Sequence, residues 1–401
     1  LGSGTCFEES LRLLVGGKML KKNEQLKMGV IGTSFLENEK RIPLFPEHLD
    51  RIDGNIRKLI SFESGYGKDF FITDDIILSK GYNVASREEL LKKSDVVILP
   101  KPTSEDMKQM KSGSILWGWA HCVQQKDIAS VAISNKLTLL TWESMFQWRS
   151  NGEKSTHIFY RNNELAGYAG VIHALTLAGI DGYYGPRRKV VVFSYGAVSA
   201  GAIYALNRHG FNNITVFTQR PSFLVANKNP DVYYETMAKN DKGEVVARFE
   251  NGDEKNLIDE LKDADIVVNG ILQDVNNPFM YIREEQVGKI KDGQLIIDIS
   301  CDKGMGFCFA TPTTFDDPVI KVEDRILYYS VDHTPSYLWN AASREISKTL
   351  VPFLNSVING ADSIKENIIL KNAIEIENGV VLNKNIIKFQ KRHAKYPYDF
   401  E

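Results

Sequence analysis

An arginine, a lysine, a histidine and an aspartate each stand where an apolar strand gives out along this chain. Arg41 lies in Glu39-Lys-Arg-Ile-Pro-Leu-Phe-Pro46, Lys101 in Leu99-Pro-Lys-Pro-Thr103, His121 closes Gly118-Trp-Ala-His121, and Asp302 falls in Asp298-Ile-Ser-Cys-Asp-Lys-Gly304. A guanidinium can clamp a carboxylate, an ammonium can polarise or deprotonate a reacting centre, an imidazole exchanges a proton near neutral pH, and a carboxylate can orient the rest. Singly, Arg41 and Lys101 read as surface cations and His121 as a hydrogen-bonded structural histidine. Four such groups at four strand ends favour a shared site.

A second chemistry-bearing stretch is Lys189-Val-Val-Val-Phe-Ser-Tyr-Gly-Ala-Val-Ser-Ala-Gly-Ala-Ile203, which reads as buried strand, tight turn and helix start. Backbone N–H groups and the positive end of the helix can face a pyrophosphate there. In register with G-x-G-x-x-G the three positions are Ser194, Gly196 and Ser199, so only the middle glycine is present. Serine is small enough for the close packing the third position needs, but Ser194 adopts positive φ less cheaply than glycine. The expected nucleotide contacts are Ser194, Gly196, Ala197, Val198 and Ser199, with Asn269 and Gly270 at a later strand end. The next strand, Asn213–Thr218, closes on Thr218-Gln-Arg220 rather than on an acidic residue. A guanidinium there pairs with a 2′-phosphate that a carboxylate would repel, so Thr218 and Arg220 predict NADPH over NADH.

The elements that must position these groups alternate. Strands are expected at Met28–Thr33, Lys58–Glu63, Asp95–Pro100, Ser114–Ala120 and Leu137–Thr141, with helical stretches near Pro46–Ile52, Thr73–Ser79, Arg87–Lys92 and Gln125–Ser134. Glu164–Leu177 reads as a long connecting helix, and Gly182-Tyr-Tyr-Gly-Pro186 breaks the chain before the nucleotide strand. The helix of the nucleotide unit is expected from about Ala200 to Arg208, with further strands within Ala264–Leu272, Gln294–Ser300 and Ile326–Val331. Helices near Asn340–Val357 and Ala361–Lys371 lead into a polar tail. The pattern is α/β: two Rossmann-like domains with parallel sheets separated by a cleft, where substrate meets cofactor. Residues 28–161 with 336–401 form the substrate domain and 162–335 the NADP-binding domain.

At 401 residues and 43% apolar content the chain is sized for two globular domains. A formal charge of −2 gives no electrostatic case for nucleic acid or an anionic membrane, and no apolar run reaches a membrane span. Cys6, Cys122, Cys301 and Cys308 show no zinc-ligand or C-x-x-C spacing, so no metal site is expected and the thiols suit a reducing cytoplasm. Cys122 follows His121 directly, and neighbours on a strand point to opposite faces. Residues 1–27 lack the order of a secretory signal; they are expected to be a dispensable extension outside the fold, with Met19 or Met28 as natural starts.

Met28-Gly-Val-Ile-Gly, Glu39-Lys-Arg-Ile, Phe62-Glu-Ser-Gly-Tyr-Gly, Lys101-Pro, Ala120-His121, Asp302-Lys-Gly and Thr311-Pro-Thr-Thr-Phe-Asp-Asp-Pro318 together resemble, in order and spacing, the alanine dehydrogenase, transhydrogenase and saccharopine dehydrogenase superfamily. The resemblance covers nearly everything after residue 27. Within it, Ser330-Val-Asp-His-Thr-Pro-Ser336 and the strand end carrying Arg220 look most like the carboxyethylornithine synthases, which join pyruvate reductively to a side-chain amine with NADPH. Alanine dehydrogenases tend instead to carry an acidic residue at the second nucleotide strand. The resemblance implies that Arg41 grips the pyruvate carboxylate, that Lys101 binds the keto oxygen or assists proton transfer, and that His121 is the general acid and base. It places Asp302 near the nicotinamide, and gives Asp332 and His333 either recognition of a diamino acid such as ornithine or lysine, or upkeep of the hinge. A cytoplasmic homo-oligomer is the accompanying expectation. Competing readings are an ammonia-using alanine dehydrogenase, a saccharopine dehydrogenase-like enzyme, and a non-catalytic NADP-binding regulator.

Overall fold

The computed structural model describes residues 25–401 apart from 226, 227, 272, 274–276 and 302. Two compact units emerge, one from the chain up to Phe159 together with Trp339–Glu401, the other from Tyr160–Leu338.

In the first unit the strands are β1 (Met28–Val30), β2 (Ile60–Glu63), β3 (Asn83–Ala85), β4 (Val96–Ile98), β5 (Ile115–Gly118) and β6 (Thr138–Thr141), a hairpin of β7 (Phe146–Trp148) and β8 (Lys154–His157), and, from the far end of the chain, β20 (Ile374–Glu377) and β21 (Val380–Val381). The main sheet runs β21-β20-β6-β5-β4-β1-β2-β3. From β6 to β3 every pairing is parallel. Runs such as Val96-Val-Ile98 and Ile115-Leu-Trp117 are buried throughout, as strands covered on both faces must be. Beyond the expected parallel strands, β3 and the antiparallel β20–β21 pair extend the sheet at its two edges. The helix Ser104–Gln109 opens with a capping box in which Thr103 and Asp106 satisfy each other's backbone N–H groups, which is worth about 1 kcal/mol and fixes the loop just past Lys101. The core begins earlier than expected: Leu26 is 4% exposed and its N–H donates to Ile358 O at 2.7 Å, so an extension ending at residue 27 overlaps the fold. The remainder of that expected extension, up to residue 24, lies outside the described residues.

The second unit starts with helix α1 (Tyr160–Ala178), four residues ahead of the expected start. Its strands are β9 (Val190–Phe193), β10 (Ile214–Thr218), β11 (Tyr233–Lys239), β12 (Val245–Arg248), β13 (Glu254–Asn256), β14 (Ile266–Asn269), β15 (Met280–Ile282), β16 (Leu295–Asp298), β17 (Gly306–Phe307), β18 (Val319–Val322) and β19 (Ile326–Tyr329). The large sheet runs β13-β12-β11-β10-β9-β14-β16-β19-β18, parallel from β11 to β19 and antiparallel at both margins. Successive strands leave β9 on opposite sides, so the β9–β14 edge is a topological switch point, where doubly wound sheets bind their ligands. Helix α2 (Ala197–Arg208) begins directly at the turn, three residues before the expected start, and packs on α1 at near-backbone distance. A Cβ on Gly167 would lie 1.8 Å from Val198 O and one on Gly201 1.9 Å from Glu164 O, so only glycine permits this crossing.

Candidate active site

The ends of β4 and β5 in the first unit are laced together. Leu99 N donates to Trp117 O at 3.2 Å and Trp119 N to Pro100 O at 2.9 Å, while a Cβ on Gly118 would fall 1.9 Å from Leu99 O. That close approach brings Lys101 Nζ to 3.1 Å from His121 Nε2. An ammonium has only donors, so Nε2 takes the acceptor role whenever Lys101 is charged, and a proton can pass between the two without either side chain moving. Strand β5 stops at Gly118, before the expected Ala120, and His121 sits in a left-handed turn with φ 44°. Cys122 therefore faces away, its thiol donating to Glu375 Oε2 at 2.7 Å; burial and that carboxylate push the thiol well up, which leaves it a poor nucleophile.

Glu143, two residues past β6, was not singled out from the sequence. Its Oε1 accepts the His121 backbone N–H at 2.5 Å, and its buried Oε2 has no hydrogen-bond partner. Burial, and then the neighbouring Glu375 charge, push its carboxyl up to about 8. Its position at the end of another strand of the same parallel sheet was a signal available in Thr141-Trp-Glu-Ser144, but its character comes from burial, which the sequence does not display. Next to it, burial pushes His157 down to about 4, so that imidazole is neutral at ordinary pH and its Nδ1 accepts from Phe159 N at 3.2 Å.

Arg41 is 3% exposed. Its Nε donates to Glu39 Oε1 at 2.8 Å, its Nη2 bonds Oε2 of the same carboxylate, and its guanidinium lies 4.9 Å from the centre of the Trp119 ring. Trp119 leads directly into His121 and packs against Trp142 at 4.7 Å, so one aromatic block seats the arginine, the histidine and the segment carrying Glu143. A substrate carboxylate reaching Arg41 has to share or displace the Glu39 pairing. Across from it, Glu63 accepts from Gly32 N at 2.8 Å, Thr33 N at 2.9 Å and Thr33 Oγ1 at 2.7 Å, holding the loop after β1 so that Ser34 Oγ reaches Lys101 O at 3.4 Å. Arg87 ties Thr33 O (2.7 Å) to Asp106 (2.6 Å) and thus fastens this loop to the capped helix after Lys101.

In the second unit Ser194 does take positive φ, 71°, and its Oγ accepts the Gly196 N–H at 3.2 Å, which helps offset the backbone cost. Gly196 is the N-cap of α2 and α2 has no side-chain cap, so the first-turn N–H groups of Ala197 and Val198 are presented to an anion. A Cβ on Gly196 would meet only Ser194 Oγ, at 3.7 Å, which leaves this face of the turn open for a phosphate. Ser199 and Asn269 are buried and serve the turn from beneath: Ser199 Oγ donates to Phe193 O at 2.8 Å, and Asn269 donates to Asp298 Oδ1 at 2.8 Å while accepting from Ile271 N at 3.2 Å. Gly270 rests on Ser199, a Cβ there falling 2.5 Å from Ser199 Oγ. Thr218 is buried and its hydroxyl donates to Arg220 O, which turns the chain and leaves Arg220 exposed at the strand end. The turn from Ser194 to Val198 thus has the open N–H groups that a pyrophosphate requires, and Arg220 stands as an exposed guanidinium at the next strand end.

Asp302 lies outside the described residues. Asp332 and His333 form a local unit: His333 N donates to Asp332 Oδ1 at 2.7 Å, Nδ1 lies 3.2 Å from Oδ2, and the ring packs on Phe315. Among the described residues no cluster of His, Cys, Asp or Glu is arranged to hold a metal ion, and no helix is long and apolar enough to cross a membrane.

Known proteins match this chain along most of its length. Residues 35–163 match the model of the alanine dehydrogenase/PNT N-terminal domain and residues 172–384 that of the C-terminal domain. An N(5)-(carboxyethyl)ornithine synthase of Clostridium botulinum is 27% identical over 78% of this chain and 88% of its own, and one from Lactococcus lactis is 26% identical over 81% and 94%. Alanine dehydrogenase 1 of Staphylococcus aureus is 21% identical over 87% of this chain and 93% of its own. Among solved structures, an L-alanine dehydrogenase superposes with a TM-score of 0.71 at 17% identity over 90% of this chain and 98% of its own, and a transhydrogenase from Sinorhizobium meliloti with 0.67 at 18% over 88% and 99%.

Proposed function

The chain belongs to the alanine dehydrogenase/PNT family, an oxidoreductase family that works with pyridine nucleotides, and from that premise we propose that it condenses pyruvate reductively with the side-chain amine of ornithine or lysine, using NADPH. The observation that carries the proposal is the Lys101–His121 contact, a proton-exchanging pair on one sheet edge with Arg41 seated against the same aromatic block. Arg41 orients the keto acid through its carboxylate. The unprotonated amine attacks the carbonyl carbon, forming the C–N bond, and its proton leaves through His121. Lys101 gives a proton to the former keto oxygen, making the carbinol, and His121 returns the amine's proton to that same oxygen, which departs as water and leaves an iminium. The reduced nicotinamide, when bound, supplies hydride to that carbon, and the product is an N-(1-carboxyethyl) amino acid. Orienting the reactants at about 3 to 3.5 Å is itself a large part of the rate.

Arg220 at the second nucleotide strand, with no acidic residue beside it, supports NADPH; Asp302 we assign to the nicotinamide end, and Asp332 with His333 to the diamino acid. The competing reading is an ammonia-using amino acid dehydrogenase; the Staphylococcus aureus relative is named an alanine dehydrogenase. Cofactor oxidation with pyruvate, assayed against ammonia, ornithine, lysine and shorter diamino acids, separates the two. Turnover with ammonia alone would reject the condensation.

A further inference from the structure

A recess of about 170 Å³ opens in the first unit beside the loops that precede Arg41 and follow β1. One wall is the Gly32–Ser34 loop, which Glu63 clamps and which rests on the Lys101 carbonyl; another is Glu39–Lys40, immediately before Arg41; the third is the short turn of Lys68 and Asp69. Arg41 and Lys101 do not line the recess themselves; its walls reach them through Glu39, which pairs with Arg41, and through Ser34, which bonds the Lys101 backbone carbonyl.

Its size and charge narrow what it can hold. A cavity of roughly 150 Å³ accommodates a benzene-sized ligand of six heavy atoms. About 170 Å³ therefore suits an α-amino acid head with a methylene or two, and is far too small for a nucleotide. The lining carries two cations, Lys40 and Lys68, and two anions, Glu39 and Asp69. Glu39 is committed to Arg41, whereas the charged ends of Lys40, Lys68 and Asp69 enter no ion pair among the described residues. A simple anion would meet repulsion from Asp69, and an apolar ligand would strand all of these charges; a zwitterion meets a partner for each of its ends.

We infer that this recess receives the α-amino acid head of the amine substrate, with the α-ammonium against Asp69 and the α-carboxylate between Lys40 and Lys68, so that the side-chain amine extends toward Lys101. The inference rests on the reductive condensation proposed above. It makes Lys68 and Asp69, outside every motif read from the sequence, the determinants of an amino acid over a plain amine.

The test uses the full chain with pyruvate and NADPH. Wild type is compared on ornithine, on 1,4-diaminobutane, which lacks the carboxylate, and on 5-aminopentanoate, which lacks the α-amine; kcat/KM should fall about tenfold or more with either deletion, the range expected for one charged hydrogen bond. Asp69→Asn and Lys68→Met should each raise KM for ornithine about tenfold while leaving KM for pyruvate and NADPH unchanged, and should weaken calorimetric binding of ornithine to the same degree. Both side chains are exposed, and the unchanged constants report intact folding. Variants that bind and use ornithine as wild type does would overturn the assignment of the recess and leave the condensation standing. A wild type that joins no diamino acid to pyruvate yet turns over with ammonia would remove the condensation, and this assignment with it.

Discussion

Replacing Glu143 by Gln should make the protein less sensitive to alkaline pH. The Glu143 carboxyl is held at about 8, first by burial and then by the Glu375 charge, against an ordinary value near 4.5. At about 1.4 kcal/mol for each factor of ten, ionising it in place costs at most roughly 5 kcal/mol, shared with Glu375 because the two carboxyls are neighbours. The folded state holds this proton more tightly than the unfolded chain does. Stability is therefore greatest below about pH 4.5 as far as this group is concerned, falls as pH rises toward 8, and levels off above it. Gln keeps an oxygen for the His121 N–H and never ionises. Urea unfolding midpoints measured from pH 5 to 9 should show variant and wild type within about 1 kcal/mol at the acid end, and the variant ahead by a few kcal/mol at the alkaline end. Parallel pH curves for the two proteins would mean that Glu143 is not the protonated member, and the reasoning would fail.

Other perturbations test the remaining parts of the site. Arg41→Ala removes the proposed keto-acid clamp and takes its guanidinium partner from the buried Glu39 carboxylate; pyruvate kcat/KM should drop by a factor of roughly thirty to several thousand, with stability down about 3 to 5 kcal/mol in urea titrations. Near-wild-type kinetics would place the carboxylate elsewhere. Arg220→Asp should weaken NADPH far more than NADH in fluorescence titrations, and equal losses would remove Arg220 from cofactor choice. Gly118→Ala forces a methyl to 1.9 Å from Leu99 O, so the β4 and β5 ends must part; about 1 to 3 kcal/mol of stability and most of the turnover should go together. A fully active, stable alanine variant would show that the lacing of these strands does not set the Lys101–His121 geometry.

The parallel strands were legible because burial on both faces demands unbroken apolar runs, and Val190-Val-Val-Phe193 or Val96-Val-Ile98 can be little else. The margins were not. Strands β11 and β12 alternate polar and apolar residues around Asn240-Asp-Lys-Gly243, a hairpin signal that goes unread when the eye follows long apolar runs, and Ile374-Glu-Ile-Glu377 likewise looks like polar tail until it is paired with β6. Asn83–Ala85 is too short and exposed to announce itself. Within the site, Lys101 and His121 were readable as strand-end residues and they meet. Their support was hidden, because Glu63, Glu143 and Glu375 matter through contacts spanning tens to hundreds of positions in the chain. The reach of Ser199 and Asn269 into the protein interior rather than outward is also a matter of packing, invisible in a fingerprint.

Both ends of the polypeptide build the first unit, and that imposes an order on biogenesis. The segment from Trp339 onward supplies Ile346 and Leu350 to the core, β20 to the open side of β6, and Glu375 to Cys122. A ribosome releases Tyr160–Leu338, the whole of the second unit, before any of these. The contiguous unit can mature as it emerges, while β1 to β6 wait with an unpaired edge strand exposed, a state that invites association with other chains. Translation that stops short of Ile374 would thus yield a finished second unit on a polypeptide whose acid–base half never closes, and chaperone demand should track the first unit rather than the second.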